Sequence, residues 1–391
     1  MKIMARTLLL LAGMTAASSA NAQTTYYWDN NGTTAGFGTA GGTWTVPTVS
    51  QWSTDPLGLA TPSASITTTT LDTLNFGYYG LGLAAGTITV TGTVDAGSLT
   101  LAPTSGSLVL SGGSINFAAG ATITSIGNSQ GNPSNTFTIG SVISGAGTSL
   151  TQIGAGSVIL TAANTYTGTT VINGGTLNNN FNATTNGGGF TLSGSGSINA
   201  STGLTLTGGG VLTLINTAAG VDRISDTAGI TSNGGTIVFN NTSGVNAYTE
   251  TIGAVALVRG QLNLVETNSQ TTSQILTISA LTRIGATNTS AITFSSGGGL
   301  NTTTNQIVVT GATATTVGQI IGAWATTGTA ANVQTDYAVY NGSAQVIPAA
   351  IAASLESTWL NSTDAYTAND GLGATTLTAT RNIAALRITS A

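Results

Sequence analysis

The densest ionic group in this 391-residue chain is Asp222-Arg223-Ile224-Ser225-Asp226. Two carboxylates on one loop, about 5–10 Å apart, can cleave a glycosidic bond, one protonating the leaving oxygen and the other attacking or activating water. On a loop, Arg223 could stand between them. The competing reading is a solvated loop with a local ion pair, which contributes little energy. Asp364 and Asp370 flank "AYTAN" and read as a second turn. The rest of the composition is poor in reactive groups. Histidine and cysteine are absent and Lys2 is the only lysine. That excludes Ser-His-Asp and thiol catalysis, and metal sites built from His and Cys. "NGGGFTL" (186–192) and "TGGGVLTL" (207–214) have the glycines of a calcium-binding roll but not its aspartate. No G-K-[ST] follows a glycine run, so no phosphate loop is expected. The sequence predicts no catalytic residue, no metal ligand and no cofactor.

The elements that must carry these residues are strands. Charged residues are 5% of the chain and glycine numbers 54, while Thr, Ser and Asn fill most polar positions. Such residues favour strands and turns over helices. From residue 82 onward, short runs with apolar side chains two apart recur: "GTITVTGTV" (86–94), "GSLVLSGGSINF" (106–117), "GSVILTAANTY" (156–166), "GLTLTGGGVLTLI" (203–215), "GQLNLVE" (260–266). That is the period of a strand. Stacked coils place like residues in ladders, which neutral side chains tolerate and like charges do not. The expectation is therefore all-β: a right-handed parallel β-helix over 82–310, with roughly 20 residues per coil. At about 4.8 Å per coil, the chain would make a rod about 80 Å long.

The ends read differently. "MKIMARTLLLLAGMTAASSANAQ" has a basic start, a short apolar core and a small-x-small site before Gln23, the pattern of a signal peptide over 1–22. Beyond it, five arginines face twelve carboxylates, a net charge of −7. No basic stripe exists, so nucleic acid is not an expected partner. Residues 23–81 carry Trp28, Trp44 and Trp52 among glycines and read as an aromatic-rich cap over an open strand edge. The alternative is a sugar-binding aromatic platform. Residues 311–391 read as a continuation of the helix or a spacer module that is truncated.

One stretch carries a specific likeness. "SGAGTSLTQIGAGSVILTAANTYTGTTVINGGTL" (144–177) resembles the autotransporter-associated β-strand repeat, also called the passenger-associated transport repeat. Leu150, Gly154, Gly156, Asn164, Thr165, Tyr166, Gly168, Thr170, Gly174, Gly175 and Leu177 stand at the pattern's positions, and Gln152-Ile153 replaces its usual charged step. Asn164 is expected to cap a turn or join an amide ladder, Tyr166 to cover a corner, and Gly174-Gly175 to turn the chain. The resemblance implies a non-catalytic β-helical passenger, monomeric and exported with the help of an outer-membrane translocator. It would be secreted or displayed on the outer surface of a Gram-negative cell. Its role would be structural or adhesive, with glycans or other cell-surface components as partners, and the repeat would assist folding and transport. The tail lacks the alternation of a membrane β-barrel, so the sequence reads either as the N-terminal part of a longer product, the favoured reading, or as a chain secreted without its own translocator. The alternative function is a β-helical polysaccharide lyase or glycosidase using Asp222 and Asp226.

Overall fold

A computed structural model describes residues 22–126, 135–174, 188–216, 221–242, 246–284, 289–352, 359–369 and 380–389. The predicted signal peptide thus lies outside the described residues, except for Ala22. The described residues contain strands, turns and bridges but no helix. Alternating side chains produce this outcome. In Leu108–Ser111, Thr136–Ile139, Ser157–Leu160 and Gly189–Leu192, every second residue is buried and its neighbours are half-exposed.

Successive coils lay these strands parallel in a 12-stranded and a 13-stranded sheet, with a 3-stranded sheet joining later. The arrangement is a parallel β-helix. In the larger sheet the register aligns Ile88, Leu110, Ile139, Leu160, Leu192, Leu214 and Phe239 in one inward column. Each is essentially inaccessible to water, and burying such a side chain is worth about 1.5–3 kcal/mol. The smaller sheet has a matching column through Leu74, Leu99, Ile123, Gln152, Ile172 and Leu206.

The coils are longer and less uniform than the sequence suggests. Leu150 pairs with Thr170, 20 residues on, but Thr170 pairs with Leu204, 34 residues on. The extra residues lie in the corners, because strand register tolerates no insertion without turning the inward column outward. Eleven strands from Thr43–Trp44 to Ala325–Ala330 run parallel in the larger sheet. At about 4.8 Å each they span about 50 Å, so the stack is shorter than a uniform 20-residue coil predicts.

The aromatic segment forms the first edge of both sheets. Trp52–Ser53 runs antiparallel against Tyr27 and Trp28 at the end of one sheet, and Thr43–Trp44 ends the other. Trp28, Trp44 and Trp52 are wholly buried. Trp52 meets Trp28 and Trp44 edge-on, with ring centroids 4.9 and 5.5 Å apart. Tryptophans buried in this way present no platform to a sugar, and that alternative falls.

At the other end Ala325–Ala330 turns back through Val333–Tyr340 and Val346–Pro348 as an antiparallel meander. Ala365–Asn369 and Ala385–Thr389 then pair in parallel, again 20 residues apart. Arg387 ties this pair to the meander. Its guanidinium meets Asp336 at 2.9 Å and donates to the carbonyls of Thr335 and Ile351. Asp364 sits in the turn before Ala365, and Asp370 lies outside the described residues.

Candidate functional site

Asp222 and Asp226 are both exposed at one corner of the stack. The Nδ2 of Asn199, from the preceding coil, donates to Asp222 Oδ2 at 3.1 Å and to the Asp222 carbonyl at 2.8 Å. Partial burial and then the charge of Asp226 hold the Asp222 carboxyl above the usual carboxylate range, while the Asn199 bond opposes them. The two carboxylates thus share one exposed turn, as the loop reading required.

The structure does not place Arg223 with them. The loop is solvated at Asp222 and Asp226, but its expected local ion pair is corrected here: Arg223 turns inward and is 0% exposed. Its guanidinium donates from Nε to the Tyr248 hydroxyl at 3.0 Å and from Nη1 to the Gly196 carbonyl at 2.6 Å. Nη2 serves the carbonyls of Gly194 and Ile215. Two of those carbonyls, of Gly194 and Gly196, lie in a turn and the third ends the strand Val211–Ile215. Arg223 donates to all three, as its planar five-donor fork allows. A guanidinium spent on backbone carbonyls is not available to a substrate.

Glu250 complements Arg223 from the next coil. Its carboxylate accepts the backbone N–H of Ile224 at 2.9 Å and that of Arg223 at 3.1 and 3.2 Å. Burial raises the Glu250 carboxyl to about 8, against the pull of those N–H donors and the Arg223 charge. Burial also pushes the Tyr248 phenol well above its ordinary value. Tyr248 and Glu250 lie on Tyr248–Ile252, with both side chains buried. Among the described residues no three His, Cys, Asp or Glu side chains are grouped to hold a metal.

The motif at 144–177 has a structural reason as well. Asn164 Oδ1 accepts the Ile143 N–H at 2.9 Å, and Nδ2 donates to the carbonyls of Ala162 and Ser197 at 2.9 and 3.0 Å. One amide thus links its own coil to the coils on both sides. Tyr166, expected to cover a corner, is 1% exposed, inside the stack. Its hydroxyl lies 2.7 Å from Thr170 Oγ1, which lies 3.1 Å from Ser201 Oγ in the next coil. A Cβ on Gly168 would strike the Thr148 carbonyl of the coil below. Gly175 and Leu177 lie outside the described residues. Asn164→Asp should destabilise the chain by about 2–4 kcal/mol at pH 7, because a carboxylate cannot donate to two buried carbonyls. Urea denaturation should report the loss, with amide exchange at Ile143 accelerated.

Comparison with known proteins follows the same stretch. The Passenger-associated-transport-repeat family matches residues 150–178, the coil that Asn164, Tyr166 and Gly168 hold together. The adhesin BmaC autotransporter of Brucella suis biovar 1 (strain 1330) is 31% identical over 299 residues. The chain is autotransporter-passenger-like. That alignment takes in 69% of the chain but only 8% of the relative's length. No solved structure matches. In this passenger-like stack the repeat is a stapled coil, and its polar residues face neighbouring coils.

Proposed function

We propose that the protein is a non-catalytic passenger, exported through its N-terminal signal and displayed on or released from the cell exterior, where its outer face is adhesive. The supporting observation is a ladder on the outside of the 12-stranded sheet. Ser98, Thr122, Thr151, Val171, Thr205, Thr231, Ala256 and Thr282 stand in register, one per coil, all at least partly exposed. Hydroxyls and methyls repeat about every 4.8 Å with no charge among them. Such a face suits many weak contacts to a hydroxylated, extended partner such as a glycan, which add up through avidity. Similarity to a protein named an adhesin supports the same reading.

Purified protein on beads should bind immobilised glycans or host-type cell surfaces. Thr151→Arg with Thr205→Arg should reduce binding at least tenfold while the β-type circular dichroism stays unchanged. Full binding by that variant would reject the ladder as the adhesive face.

The second reading is a carbohydrate-active enzyme using Asp222 and Asp226, and the raised Asp222 carboxyl, with the Asp226 charge among its causes, favours it. Against it stands Arg223, which points into the stack.

A further inference from the structure

The inward column of the larger sheet changes character after Phe239. Its next two members in register are Glu266 and Ser296. A second column, on the 3-stranded sheet, runs from Tyr248 to Gln274 to Asn305. Phe239 and Tyr248 stack with centroids 4.3 Å apart, so the two columns face each other inside one corner. One coil on, Glu266 stands opposite Gln274, and two coils on, Ser296 stands opposite Asn305. Their exposures are 1, 0, 1 and 2%.

The amide nitrogens are turned to the wall. Gln274 Nε2 donates to the Phe239 carbonyl at 2.5 Å, and Asn305 Nδ2 to Thr304 Oγ1 at 3.4 Å. The oxygens that remain are Glu266 Oε1 and Oε2, Gln274 Oε1, Asn305 Oδ1 and Ser296 Oγ. None has a hydrogen-bond partner among the described residues. Side chains also shrink along the corner, from Phe and Tyr to Ser and Asn, so the space a stacked pair of rings fills is given up to oxygen atoms.

Orphaned buried acceptors are costly and call for something electropositive among them. We propose that Glu266, Gln274, Ser296 and Asn305 form an internal binding site for a hard divalent cation of calcium's size. All-oxygen ligands disfavour soft transition metals. One carboxylate, two amide carbonyls and a hydroxyl spread over two coils lack the rigid octahedron that magnesium demands but suit calcium's looser 6–8-fold shell. A single ligand charge places the affinity in the weak extracellular class, about 10⁻⁴–10⁻³ M. Because the site is enclosed, the ion enters as the coils close.

The test is thermal unfolding of the full chain in EDTA, in 5 mM CaCl2 and in 5 mM MgCl2 at equal ionic strength. Calcium should raise the wild-type Tm by several degrees and magnesium by clearly less. Glu266→Gln should have the higher Tm in EDTA and lose the calcium shift. Asn305→Ala should reduce that shift, and Asp222→Asn with Asp226→Asn should keep it. No calcium shift in the wild type, or an equal shift in Glu266→Gln, overturns the proposal.

Discussion

Arg223→Ala should cost about 3–5 kcal/mol, the largest loss expected from any single side chain outside the apolar core. The substitution strips donors from three backbone carbonyls and from the Tyr248 hydroxyl; the Tyr248 and Gly196 bonds are buried, those to Gly194 and Ile215 partly so. It also leaves Glu250 without the cation that opposes its burial. Arg223→Lys should recover only part, since an ammonium carries three donors from one point and cannot span carbonyls from different coils. Pairing Arg223→Ala with Glu250→Gln should cost less than the sum of the two singles, because the glutamine oxygen still accepts the Ile224 N–H and brings no charge. Urea denaturation of the four proteins gives the coupling directly. Additive losses would mean that Arg223 and Glu250 act independently.

The second large effect is on pH dependence. Burial alone raises the Glu266 carboxyl to about 8 from its ordinary 4.5, with no opposing donor or cation. The folded state therefore holds a proton that the unfolded chain releases near pH 4.5. The stability this contributes is fully present below that pH and is lost as pH rises through 8. The slope is about −1.4 kcal/mol per pH unit across the window. In EDTA, Glu266→Gln should match the wild type at pH 5 and exceed it by about 2–4 kcal/mol at pH 8. Glu250 titrates in the same sense and window, so the variant should keep part of the slope. Denaturation midpoints from pH 5 to 8.5 measure both; a wild type more stable at pH 8 than at pH 5 would contradict the assignment.

Much of the architecture was legible in the residues. A two-residue apolar period, Thr, Ser and Asn in the outward places and scarce charge together specify neutral stacked coils, and the strands obey them. Coil length was not legible, because corners absorb insertions of ten or more residues without disturbing the alternation that marks a strand. The inward polar residues were missed although a signal existed. In "QLNLVETN" the period runs Leu262, Leu264, Glu266, and in "AYTETIG" it runs Tyr248, Glu250, Ile252. Each glutamate sits where the pattern demands an inward side chain. Charge alone suggests solvent, but position in the period decided the outcome. Arg223 gave no such warning, since its orientation depends on carbonyls from residues 194, 196 and 215 that only folding assembles. The likeness at 144–177 marked the right coil; the reason for its asparagine became visible only when residues 143 and 197 proved to be its neighbours in space.

The central claim is that the polar residues of this stack serve structure inside and adhesion outside, not catalysis. One paired measurement tests it: bond cleavage on pectin, alginate and chitin, and bead adhesion, for the wild type and for Asp222→Asn with Asp226→Asn. The account predicts no turnover by either protein and equal adhesion by both. Wild-type turnover that the double substitution abolishes would contradict it.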